Sequence, residues 1–72
     1  MNKEEFLQGM QEVLEIDEAL DYETVLDDLD EWDSLSKLAT VTFLDNNFGI
    51  KTTFNDFEEF KTIGDIARKA GL

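Results

Sequence analysis

Asp33, Ser34 and Leu35 stand where an acid-rich segment gives way to an amphipathic one, a junction at which a serine can serve as a nucleophile or as an attachment point. In the first turn of a helix, a serine has an accessible hydroxyl, unpaired backbone N–H groups and the positive end of the helix dipole beside it. A phosphodiester formed there lies in a favourable field. The triplet alone is weak, since chance produces it in roughly a few per cent of chains of this length, and a plain helix-start serine is the simplest reading. Ser34 and Lys37 also spell S-x-x-K, the nucleophile motif of penicillin-recognising enzymes. The S-D-N and K-T-G elements that must accompany it are missing: Lys51 is followed by Thr52 and Thr53, and 72 residues cannot wall off such a site.

The rest of the composition narrows the chemistry further. There is no Cys, which removes disulfides, thiolate metal sites and cysteine nucleophiles. There is no His, the commonest general base and metal ligand. The chain is therefore expected not to be an enzyme. Its acids invite a calcium reading, but an EF-hand loop needs Gly at its sixth position and Glu at its twelfth, and no window around Asp17, Asp21 or Asp28 supplies both. No metal site is expected.

A formal charge of −12 opposes direct contact with nucleic acid or anionic lipid, so partners should present basic patches. The charge is one-sided. Residues 1 to 33 hold thirteen acids and one base, Lys3, whereas five acids and five bases balance from Ser34 onward. The strongest negative field thus lies on the chain leading to Ser34, where it would steer a cationic enzyme. No apolar run has the length of a signal peptide or of the ~20-residue membrane span, so a cytoplasmic location is expected. At 42% hydrophobic residues the chain can collapse despite its charge. Its length allows one domain, 1–72, and nothing requires more than a monomer.

Four helices are expected to position the serine. Phe6, Leu7, Met10, Val13 and Leu14 mark one face of a first helix from Asn2 to Leu14, with Asn2 as N-cap and Glu5 completing the box. Glu15 to Asp33 has no sustained period but carries Ile16, Leu20, Tyr22, Val25, Leu26 and Leu29 among its acids; an ordered loop is expected, with a helical turn near Glu23 to Leu26. Asp33 caps a second helix from Ser34 to about Asn47. Its inward stripe should be Leu35, Leu38, Val41, Leu44 and Phe48, widened by Ala39 and Phe43, and Gly49 should end it. Asn55 with Glu58 should open a short helix through Phe57 to Phe60, and Thr62 with Asp65 a last one carrying Ile63, Ile66, Ala67 and Ala70. The fold class is all-α: three principal helices, one short helix and a long loop between the first two.

Taken together, the first helix, the acidic loop, Asp33-Ser34-Leu35, the second helix closing on Phe48-Gly49-Ile50 and the start Thr62-Ile63-Gly64-Asp65-Ile66 resemble the acyl carrier protein family, or phosphopantetheine-binding carrier domains, over essentially the whole chain. The resemblance implies that a phosphopantetheinyl transferase joins 4′-phosphopantetheine from coenzyme A to Ser34. Acyl cargo would then ride as a thioester on the arm, passed among acyl-loading and acyl-transferring enzymes. Asp33 would cap and orient, Leu35 would flank the cofactor, and Asp30, Glu31, Trp32, Leu35 and Leu38 would dock partners. In the family a cleft between the second and third helices can sequester acyl chains. Here Leu38, Phe43, Phe54, Phe57, Phe60 and Ile63 match it, although core filling is the preferred reading of these residues in so small a chain.

The second helix departs from the fatty-acid pattern, because Lys37 and Asp45 cancel where that pattern is acid-rich. Together with Trp32-Asp33-Ser34-Leu35, this looks like carriers of specialised pathways. The alternative is an unmodified acidic helical adaptor that binds basic partner surfaces. Self-repulsion among the acids should weaken the fold at low ionic strength. Added salt is therefore expected to raise the thermal midpoint, and a midpoint that stays flat or falls would show the acids to be locally compensated.

Overall fold

In the first turn of the chain, Asn2 Oδ1 accepts from the Glu5 N–H at 2.9 Å while Glu5 Oε1 accepts from the Asn2 N–H at 3.1 Å. This reciprocal cap satisfies two otherwise orphaned donors and starts α1, Lys3–Leu14. The computed structural model describes residues 1–72, and its further elements are α2, Ser34–Phe48, α3, Phe54–Phe57, and α4, Ile63–Lys69, with one 3₁₀ turn at Leu26–Asp28 between α1 and α2. The expected all-α architecture is present, and no helix is long and apolar enough to cross a membrane. The helical turn in the loop falls slightly later than the expected Glu23 to Leu26.

α1 ends without glycine. Glu15 takes the left-handed conformation at φ 56°, which lets the Ile16 N–H reach the Gln11 carbonyl at 3.0 Å and turns Ile16 onto the core. α2 ends as expected at Gly49, whose φ of 67° suits a residue without a Cβ.

Phe6, Met10 and Leu14 from α1 are buried with Leu20 and Leu26 from the loop, Leu44 from α2, and Ile63, Ile66 and Ala67 from α4. Phe6 is the aromatic centre of this core. Its ring lies 6.3 Å from Tyr22, 5.9 Å from Phe43 and 6.2 Å from Phe48, all tilted or edge-on, the arrangements aromatic quadrupoles favour.

The loop from Glu15 to Asp33 is fastened at its middle. Leu26 N–H donates to Lys61 O at 2.9 Å, Ile63 N–H to Thr24 O at 3.1 Å, and Gly64 N–H to Tyr22 O at 2.9 Å, with Val25 and Thr62 forming a single antiparallel bridge. The loop's buried side chains and these bonds to residues 61–64 tie its middle to the start of α4. Ser34 follows directly from the loop.

Two expectations are corrected. α2 buries Ser36, Thr40 and Leu44, whereas Leu35 is 77% and Leu38 55% exposed. Apolar residues occur nearly all round this helix, so their spacing does not select a face. The rotation is set near its end, where Phe43 and Phe48 pack on Phe6 and Leu44 enters the core. Positions four and eight residues before Leu44 must then point inward too. They are Thr40 and Ser36, and their hydroxyls bond within the helix: Thr40 Oγ1 donates to Ser36 O at 2.9 Å and Ser36 Oγ to Asp33 O at 3.0 Å. α3, in turn, spans Phe54–Phe57 rather than running to Phe60. Asp56 Oδ2 accepts from the Thr53 N–H at 2.8 Å, so the pair that opens it is Thr53 with Asp56 and not Asn55 with Glu58. Both pairs have the same spacing. Packing decides between them, because the earlier start places Phe57 inward between Phe54 and Phe60.

α4 meets the loop closely at Gly64, where a Cβ would sit 2.9 Å from the Tyr22 carbonyl oxygen and 3.1 Å from the Tyr22 Cβ. Gly64→Ala must therefore push the loop off α4. Urea unfolding is expected to show a loss of about 1–3 kcal/mol, the usual cost of overpacking, and an unchanged midpoint would show that the loop yields freely.

Candidate functional site

The start of α2 is fixed by a second reciprocal cap. Asp33 Oδ1 accepts from the Ser36 N–H at 3.0 Å, and Ser36 Oγ accepts from the Asp33 N–H at 2.9 Å. Asp33 adopts extended backbone and Ser34 is the first helical residue, so Ser34 is exposed at the point where chain direction changes. Hydrogen bonding from the Ser36 backbone is the main influence that holds the Asp33 carboxyl below its ordinary value of 3.8. Asp33 is thus ionised at neutral pH and fills the anion-favouring end of the helix with its own charge.

Two recesses flank this point. One, of about 640 Å³, lies between the end of α1 and the first half of α2 and includes Val13, Leu14, Glu31, Asp33, Leu35 and Leu38 in its lining. The other, of about 400 Å³, lies on the α3 side and is lined by Ser34 itself with Trp32, Lys37, Phe54, Phe57 and Lys61 among others. Trp32 packs edge-on against Phe57 at 5.6 Å, and the Lys37 ammonium lies 5.8 Å from the centroid of the indole. Neither the Lys37 nor the Lys61 ammonium is paired with a carboxylate; the ion pairs are Lys51 with Asp45 and Arg68 with Asp65.

The expected docking residues separate accordingly. Glu31, Leu35 and Leu38 share the first recess, exposed Asp30 lies beyond it, and Trp32 is half-buried on the other side. The expected acyl cleft is divided in the same way. Leu38 faces the first recess, Phe54, Phe57 and Phe60 the second, Phe43 packs onto α1, and Ile63 is fully buried. Core filling therefore accounts for Phe43, Phe57 and Ile63, but not for Phe54, which is 49% exposed.

Sequence reasoning set Lys37 aside with the S-x-x-K motif; its place three residues after Ser34, on the same side of a helix, was the available signal. Val13 and Glu15 were missed as parts of a recess, because only packing brings the end of α1 beside Leu35.

An exposed serine hydroxyl with free ammonium groups in its recess suits a phosphate ester: the oxygen is open to a second protein, and cations are at hand for the charge. The sequence model for the phosphopantetheine attachment site matches residues 4–69. The solution NMR structure of the holo acyl carrier protein from Geobacter metallireducens superposes with a TM-score of 0.76 at 28% identity, covering 94% of this chain and 79% of that one. Comparison with curated proteins gives no significant match. The chain belongs to the phosphopantetheine-attachment family, whose prosthetic group is 4′-phosphopantetheine.

Because the folded Asp33 carboxyl titrates below its unfolded value, its stabilising contribution is complete above 3.8 and is lost as pH falls through the lower folded value. Asp33→Ala should lower the thermal midpoint at neutral pH. The gap from the wild type should close as the pH is taken down through and below 3.8, and a gap independent of pH would assign the effect to something other than the charge.

Proposed function

We propose that this chain is an acyl carrier, with Ser34 as the residue that takes the 4′-phosphopantetheine arm. The observation that carries the reading is the position of Ser34, exposed at the capped start of α2 within a family of attachment domains. During loading the Ser34 hydroxyl gives its proton to a base of the transferase, and its oxygen bonds to the pantetheine-side phosphorus of coenzyme A as the pyrophosphate link breaks and adenosine 3′,5′-bisphosphate leaves. The arm, once bound, supplies a terminal thiol for thioester formation.

This chain's own residues hold and present. Asp33 fixes the helix start and the orientation of Ser34, and the stitched loop keeps that start in place. Asp30 and Glu31 offer charge to a basic partner, and Leu35 and Leu38 offer exposed apolar contact beside it. Such a mixed surface favours fast, reversible encounter, and tethering keeps cargo concentrated at each docked enzyme. A monomer, acting as a carrier and not as a catalyst, meets these demands.

The partners are read as enzymes of a specialised pathway rather than of bulk fatty-acid synthesis. Along α2 the only charges are Lys37 and Asp45, and Asp45 is already paired with Lys51 at 2.9 Å. A partner that docks by a row of acids on this helix finds none; one that reads Glu31 and the preceding loop finds many.

Incubating the chain with coenzyme A, magnesium and a broad-specificity phosphopantetheinyl transferase should raise its intact mass by one phosphopantetheine, and Ser34→Ala should abolish the gain. An unchanged wild-type mass would support the unmodified adaptor instead.

A further inference from the structure

On the reading that Ser34 carries the arm, we infer that Lys37 is the arm's phosphate-binding residue, and that it leaves the Trp32 ring to take up this role when the arm is attached. The phosphodiester is the one part of the arm whose location is fixed, since its phosphorus is bonded directly to the Ser34 oxygen. Whatever the rest of the arm does, a negative charge is added at the mouth of the recess that Ser34 lines.

That location already has Asp33 beside it, in a recess where Asp27 and Glu58 balance Lys37 and Lys61. Residues 1 to 33 carry a net charge of −12, from thirteen acids and one base, and Asp33 is the nearest of these acids in sequence. Two N–H groups in the first turn of α2, those of Ser36 and Lys37, are already committed to the Asp33 side chain and carbonyl at 3.0 and 2.9 Å. A nearby cation offsets the charges of Asp33 and of the phosphate together. Lys37 is three residues from Ser34, where helical side chains are neighbours, about 5–6 Å apart at Cβ.

Lys37 is also unattached to any carboxylate. Asp27 and Glu58 line the same recess, yet the ammonium forms no ion pair with either and lies over the indole of Trp32 instead. A partly exposed cation–π contact is weak. A charge-assisted bond to a phosphate oxygen is stronger. Attachment therefore shifts Lys37 from the ring to the phosphate, and the Trp32 face it covered opens toward the recess. Lys61, on the far wall, remains as a second cation for the same field.

Trp32 is the single tryptophan, so its emission and indole N–H resonance report this step without a label. The full chain is compared before and after loading by the transferase, with intact mass confirming the modification at Ser34. The wild type and Lys37→Arg are expected to show a shift in both signals on loading. Lys37→Gln should start with its Trp32 signals near those of the loaded wild type and change by less than half as much. Circular dichroism establishes that each variant is folded, and the wild-type pair decides the matter even if Lys37→Gln is not. Loaded wild type with unaltered Trp32 signals, or Lys37→Gln responding in full, overturns the inference alone. A chain that gains no mass at Ser34 overturns it together with the carrier reading.

Discussion

The backbone hydrogen bonds between residues 22–26 and 61–64 are the constraint on which the rest of this structure depends. A chain of 72 residues has a core worth only a few kcal/mol, about 3–5 in proteins of this size. It cannot tolerate a long free connection between its first two helices. Here the connection becomes part of the core. Leu20 and Leu26 are buried beside Ile63 and Ile66, and its carbonyls receive the N–H groups of Ile63 and Gly64. The loop and the start of α4 are effectively one unit, and the exposed serine is delivered from its end.

A second consequence concerns what α2 shows to solvent. With Phe43, Leu44 and Phe48 drawn to α1, the helix turns Ser36 and Thr40 inward and Leu35 and Leu38 outward. Buried hydroxyls satisfied within their own helix cost little. Exposed leucines beside an exposed serine are otherwise hard to explain. Exposed apolar side chains grouped in this way form a surface suited to contact with other proteins.

Electrostatics divides the site along the same axis. Acids gather on the loop side and on Asp33, whose charge is held by the helix start, while the aromatic recess on the other side carries Lys37 and Lys61 alongside Asp27 and Glu58. Glu31, Leu35 and Leu38 line one recess together.

Capping residues and turns were legible in the sequence because they are local: Asn2 with Glu5, Asp33 before Ser34, Thr62 with Asp65 and Gly49 each act on backbone within a few positions. The all-α class, the exposed Ser34 and the asymmetry of charge follow from the same short-range information. What the tertiary structure alone decided was rotation and pairing. The face of α2, the choice of Thr53 over Asn55 as the start of α3, and the division of the expected cleft into two recesses all depend on which ring packs against Phe6 or Phe57. Apolar residues surround α2 and two capping pairs compete at α3, so local pattern is degenerate there, and the degeneracy is lifted only by contacts between residues distant in the chain.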